Sequence, residues 1–221
     1  FGNDEINDTS FLESVDDWNI DTKLTKEFET LGFYISDHPL NQYKSIFKSY
    51  NIISYDKFEN DNNIISSNIA CTVLKVQEKK TQKGNSYAIV KFSDLLNVFE
   101  LFIFSDIFEV NRENLIEGNS LMLTIIKNYI DGDKSQKRIN IKKMTSLREL
   151  IIKQIKNITF KFDNIEDIHK LKKLSLKDGE TEVKILLQNH NEIKKFYLKD
   201  KRKVNYDLLN TLNLENHVRL E

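Results

Sequence analysis

Ser86-Tyr87-Ala88-Ile89-Val90-Lys91-Phe92-Ser93-Asp94-Leu95-Leu96-Asn97-Val98-Phe99-Glu100-Leu101-Phe102-Ile103 holds two stretches of period-two alternation joined by a short turn. In the first, Ala88, Val90 and Phe92 alternate with Tyr87, Ile89 and Lys91. In the second, Phe99, Leu101 and Ile103 alternate with Val98, Glu100 and Phe102. Successive side chains point to opposite faces of a strand, so one row of each stretch faces a core and the other faces outward. Two strands joined at Asp94 to Asn97 are predicted. Upstream, Asn68 to Lys80 is a long β-prone run closed by the turn Thr81-Gln82-Lys83-Gly84-Asn85. Downstream, Ser105 can cap a short helix to about Leu115, and Gly118-Asn119 stops it. Ser120 to Tyr129 reads as a fourth strand, Asp131 to Arg138 as a polar loop, and Ile139 to Met144 as a fifth strand. Three strands, a helix and two strands over residues 67–147 is the order of an OB-fold, a five-stranded Greek-key β-barrel.

The flanks differ in pattern. Residues 1–22 are acidic and polar and read as a linker. Leu24, Phe28, Leu31 and Ile35 then mark one face of a helix that ends before Pro39. Leu40, Tyr43, Phe47 and Tyr50 mark a second helix with Pro39 in its first turn. Residues 23–66 thus form a helical segment. Beyond the barrel, residues 148–221 alternate strand and helix: Asn157 to Phe162, a helix capped by Asn164, Glu182 to Leu187, Ile193 to Leu198, a helix capped by Asn205, and His217 to Leu220. That βαββαβ order predicts a small ferredoxin-like, split βαβ module. The fold class is mixed α and β in several modules.

Composition narrows the function. The chain has 221 residues, 39% hydrophobic and 30% charged, with a net charge of −1. Such a chain can bury a core, and it is not uniformly polybasic. The charge is uneven: residues 1–66 carry −8, residues 67–147 carry +3 and residues 148–221 carry +4. Lysine, asparagine and isoleucine share A/T-rich codons and number 28, 24 and 26, so lysine abundance alone carries no argument. One cysteine excludes an intramolecular disulfide and fits a reducing cytoplasm. No apolar run approaches a membrane span. The start at Phe1-Gly2 lacks an initiator Met and a signal peptide, so a segment of something longer is expected.

Catalytic constellations are missing. His38, His169, His190 and His217 are scattered, and no zinc-ligand spacing occurs. Cys71 reads as a buried, inert thiol. No glycine-rich phosphate loop is present. The acidic pairs Asp16-Asp17 and Asp131/Asp133 fall in a linker and a loop rather than on strands, where two-metal chemistry would need them. No catalytic residue, metal site or cofactor is expected. Nucleic-acid binding is better supported. Lys79, Lys80 and Lys83 surround the first barrel turn, and Lys134, Lys137 and Arg138 lie in the loop before the fifth strand. Between these loops the outward row offers Tyr87, Lys91 and Phe102. Aromatic faces stack bases and ammonium groups neutralise phosphates, which is how OB-folds hold single strands. Glu100, in the middle of that row, argues for weak binding.

Glu29-Thr30-Leu31-Gly32-Phe33-Tyr34-Ile35-Ser36-Asp37-His38-Pro39-Leu40 closely resembles the E-x-LGFYLSGHPL signature of the alpha subunit of bacterial DNA polymerase III. Asp37 stands where the family has Gly. Lys83-Gly84-Asn85 resembles the family's turn before strand two. Ser93 to Asn97 resembles its D-D/E-x-S-G turn, with Asn97, a residue that tolerates positive φ, in place of Gly. Val98 to Asp106 resembles its xLEVxxFxD run. The resemblance covers residues 23–221. It implies a parent DNA-directed DNA polymerase, a nucleotidyltransferase of the replisome that uses Mg²⁺ and dNTPs for DNA replication. Its catalytic regions would lie upstream. It also implies that the OB module contacts single-stranded template DNA and that the C-terminal module binds the clamp-loader tau subunit. Phe1-Gly2 resembles the end of the family's sliding-clamp peptide, which leaves Phe1 as a truncated anchor. For tau, the exposed anchors expected are Phe196, Tyr197 and Leu198 before the basic run Lys199 to Lys203, with the chain end Val218 to Glu221. Two rival readings stand: an OB-fold tRNA- or single-strand-binding module of another protein, and a pure protein-interaction scaffold.

Overall fold

The computed structural model describes residues 17–130, 133–174, 176–177, 179–189 and 192–219. It divides into two units, one ending at Asp37 and one beginning at His38. In the first unit, helix α1 spans Ile20–Leu31, and Asn19 caps it by accepting from the Thr22 N–H at 2.9 Å. The helix therefore begins inside the expected linker. It also ends sooner than the apolar spacing predicts. Gly32 takes φ +77 and donates its N–H to Phe28 O, a left-handed stop that favours a residue without Cβ. Ile35 thus leaves the helix and is exposed. The chain then folds back: the N–H groups of Ile35 and Ser36 donate to Glu27 Oε2 at 2.9 and 3.0 Å, and the Ser36 hydroxyl donates to Oε1. The Ser36 bonds, then that of Ile35, hold the Glu27 carboxyl below the usual carboxylate range. Phe28 and Tyr34 stack 5.2 Å apart.

The second unit opens with a short 3₁₀ helix, Pro39–Tyr43, which runs on into α2, Lys44–Phe47. His38 caps it. Its Nδ1 accepts from the Leu40 N–H at 3.1 Å, so Nε2 carries the proton and donates to Ser93 Oγ at 3.0 Å. Helix α3, Tyr55–Asn60, was not expected from the sequence; Ser54 caps it.

Five strands follow: β1 Ser66–Lys80, β2 Ser86–Ser93, β3 Val98–Ile103, β4 Ser120–Ile130 and β5 Asp133–Ser146, with α4 Ser105–Asn111 between β3 and β4. The cap of α4 is Phe104 without a side-chain bond, not Ser105, and the helix stops at Asn111. All pairings are antiparallel in the order β3-β2-β1-β4-β5. The expected closed barrel is corrected here: β3 and β5 sit at opposite ends of the order and share no ladder. β3 and β5 approach each other without pairing, and helix α3 packs beside that seam. Tyr55 and Phe58 enter the core of the sheet. The Tyr55 ring stacks on Phe99 of β3 at 3.9 Å and 2°. Lys137 of β5 donates to the Glu59 carbonyl, and Lys127 of β4 donates to the Asp61 carbonyl at 2.7 Å. Two ammonium groups thus hold the C-terminal end of α3, where helix carbonyls lack partners.

The inner rows of β2 and β3 are those the alternation predicts. Ala88, Val90, Phe92, Phe99, Leu101 and Ile103 are buried in one core with Ile69, Val73, Leu121 and Leu123. Cys71 lies in that core, and burial, with Asp94 nearby, pushes its thiol well above the usual range.

The remaining strands form a second sheet, β8-β7-β6-β9, built from β6 Asn157–Phe162, β7 Glu182–Asn189, β8 Glu192–Tyr197 and β9 Val218–Arg219. Asn164 and Asn205 cap as predicted, but the first helix is a 3₁₀ run, Ile165–Lys173; the second is α6, Tyr206–Thr211. The βαββαβ order along the chain is as expected, but the ferredoxin-like split pairing is corrected. β6 and β7 are adjacent and parallel, and β8 is the hairpin partner of β7. A third cluster joins the sheets: Leu147, Leu150 and Ile151 of α5, Leu147–Ile152, pack with Leu40, Ile46, Ala70 and Met122, and Tyr206 packs against it.

Gly179 makes the closest backbone approach. A Cβ there would lie 2.6 Å from the Arg202 carbonyl carbon, beside the bridge between Thr181 and Arg202. Gly179→Ala is expected to lower stability by about 1–3 kcal/mol, because backbone must move. Urea titration followed by circular dichroism checks this; an unchanged midpoint would show that the bridge yields without cost.

Candidate nucleic-acid interface

The outward rows of the first sheet assemble into a ladder. Residues opposite one another in register share a face. Lys75 faces Lys91, which faces Glu100. Gln77 faces Ile89, which faces Phe102. Lys79 faces Tyr87. Lys79, Lys80, Lys83, Lys91 and Glu100 are exposed, Tyr87 is half-buried, and Phe102 is 56% exposed. The structure therefore brings Tyr87, Lys91, Phe102 and Lys79 onto one face. Lys80 follows Lys79 and points to the other side of the strand.

Lys75 was not singled out from the sequence. The register shifts between Val73 and Lys75, so Leu74 is buried within an unbroken buried run from Ile69 and Lys75 turns outward. An irregularity of this kind inserts a residue and reverses the alternation beyond it. The only sequence trace is a lysine after six consecutive small or apolar positions.

The groove of this face lies at the open seam. It has a volume of about 580 Å³ and is lined by Tyr55, Glu59, Glu100, Phe102, Phe104 and Arg138, among others. Arg138 is exposed. Lys137 is half-buried with its ammonium group on the Glu59 carbonyl, so it builds the wall of the groove. The backbone of Lys134 belongs to β5; its side chain lies outside the described residues. Burial, with Glu59 adjacent, pushes the Tyr55 hydroxyl up to about 12.

Asp94 sets the geometry of the β2–β3 turn. It is 4% exposed, and its carboxylate accepts from the N–H groups of Tyr55, Leu96 and Asn97 at 2.8, 2.8 and 2.7 Å. Positive φ among the described non-glycine residues occurs at Asn51 and Asn213. The turn is closed by Asp94 and not by a left-handed Asn97.

The proposed partner anchors separate. Phe196 and Tyr197 lie on the edge strand β8 and are 46% and 72% exposed. Leu198 is half-buried against the C-terminal core, as is Val218. Phe1, Leu220 and Glu221 lie outside the described residues. Among the described residues no group of three or more His, Cys, Asp or Glu could hold a metal, and no helix is long and apolar enough to cross a membrane.

No protein-family model matches the chain. It is similar to the DNA polymerase III subunit alpha of Rickettsia conorii, 27% identical over 147 residues, which is 66% of this chain and 12% of that protein. The subunit alpha of Borreliella burgdorferi is 25% identical over 164 residues, 73% of this chain and 14% of the relative. That of Aquifex aeolicus is 29% identical over 143 residues, 63% of this chain and 12% of the relative. The matches thus span less than a sixth of these relatives' length. The chain resembles a fragment of a bacterial polymerase subunit. The subunit is DNA polymerase III alpha, the same one that the LGFYISDHPL stretch resembles.

Proposed function

We propose that the chain is part of the alpha subunit of a bacterial DNA polymerase III, acting in DNA replication. Its first sheet, an OB-like module, holds single-stranded template. Its second sheet docks the clamp-loader tau subunit. The observation that carries the reading is the ladder of Lys75, Lys91, Phe102, Lys79 and Tyr87. Lys75 and Lys91 stand directly opposite one another, an arrangement that costs stability in isolation and that a phosphate relieves. Exposed Phe102 offers a stacking surface. Nucleotidyl transfer, with Mg²⁺ and dNTPs, belongs to the rest of the parent subunit, and so does any full contact with the sliding clamp. A titration with single-stranded oligonucleotide at low salt tests the reading; absence of binding would favour a protein-interaction scaffold. Glu59 and Glu100 beside the groove speak for that second reading.

For the tau contact, Phe196 and Tyr197 are the anchors. Changing both to serine in the full chain is expected to abolish capture of the tau C-terminal region while leaving DNA binding unchanged. Both sit on an exposed edge strand, so the stability cost is within about 1 kcal/mol. Equal capture by the altered chain would put the contact elsewhere.

A further inference from the structure

The groove at the open seam has two chemically different ends. Arg138 and the partly exposed rings of Phe102 and Phe104 stand at one. Glu59 and Glu100 stand at the other and continue with Asp56 into an adjoining hollow of about 320 Å³. Ionised carboxylates only accept hydrogen bonds. Asn140 Oδ1, in the same lining, is buried and accepts no bond from the described residues. The acceptor end disfavours a ligand edge of carbonyl oxygens and favours one that presents N–H. A basic peptide would suit the carboxylates but would meet Arg138 at the other end. A nucleotide satisfies both ends: a flat ring for the phenylalanines, an amino edge for the carboxylates, and a phosphate for the cations.

We propose that this groove selects nucleobases bearing an exocyclic amino group, cytosine above thymine, through acceptance of the amino hydrogens by Glu100 and Glu59. The ring stacks on Phe102 or Phe104, and the adjacent phosphates lie near Arg138. A carboxylate accepting from the cytosine amino group is an established mode of base readout. Phosphate contacts hold the strand in place, and the groove adds the discrimination. The inference rests on the single-strand reading of this face.

Fluorescence anisotropy of the full chain with oligodeoxycytidine, oligothymidine and an abasic strand of equal length tests it. Mildly alkaline pH keeps the cytidine strand unstructured. Deoxycytidine is expected to bind about tenfold more tightly than thymidine. Glu100→Gln is expected to bring the two within about twofold, because an amide can also donate to the thymine carbonyl. Glu100 is exposed, so the exchange leaves the core intact. Equal affinity for the two bases, or an undiminished preference in E100Q, overturns the proposal and leaves the single-strand reading standing. Failure to bind all three strands overturns both. Tighter binding of a lysine-rich peptide than of any strand assigns the groove to a protein partner instead.

Discussion

Changing Lys79, Lys80 and Lys83 together to alanine is expected to weaken single-stranded DNA binding by about tenfold or more at low salt, equally across sequences. All three are exposed around the β1–β2 turn, so they are free to neutralise phosphates without disturbing the core. Each phosphate contact on a single strand contributes about 0.7 to the slope of log affinity against log salt. Loss of three contacts should therefore flatten the slope by about two. Anisotropy titrations across a salt series measure both quantities. An unchanged affinity, or a parallel salt dependence, would remove this turn from the interface. Lys137 is expected to behave differently. Its ammonium group holds the end of α3, so its loss should be seen first as lowered stability.

The second large effect concerns Asp94. Its buried carboxylate accepts three backbone N–H bonds and joins the β2–β3 turn to the start of α3. Asp94→Ala leaves those donors without a partner and is expected to cost about 3 kcal/mol or more. Asp94→Asn keeps one acceptor oxygen and should cost less. Urea denaturation at constant m-value reads both. A loss below about 1 kcal/mol for the alanine variant would mean that water replaces the carboxylate, and that the turn does not depend on it. Because Asp94 anchors both β3 and α3, the same variant should loosen the seam and lower DNA affinity.

Local chemistry was readable without coordinates. The alternation in Ser86–Ser93 and Val98–Ile103 assigned inner and outer rows correctly, because strand side chains have a strict period of two and one face meets a core. Asn164 and Asn205 were recognisable as caps because a short polar side chain can satisfy the first free N–H groups of a helix. The outward Lys91 and Phe102 followed from the same alternation.

Four features needed the tertiary structure. Gly32 reads equally well as a weak helical residue or as a stop, and its left-handed φ with the return of Ile35 and Ser36 to Glu27 decided for the stop. Lys75 entered the ladder only because the register shifts beside it. Lys137 looked like a free cation until α3, a helix too short to show a period, was found beneath it. The open seam is the largest departure. Strand order within a sheet follows from alternation and turns, but whether the two end strands meet depends on what else fills the gap. Here Tyr55 and Phe58 of α3 pack into the core beside it, and Tyr55 stacks on Phe99, 44 residues later in the chain. The sequence alone determined which side chains face out; the tertiary structure decided that β3 and β5 share no ladder, and the packing of a distant helix decided where the groove beside them lies.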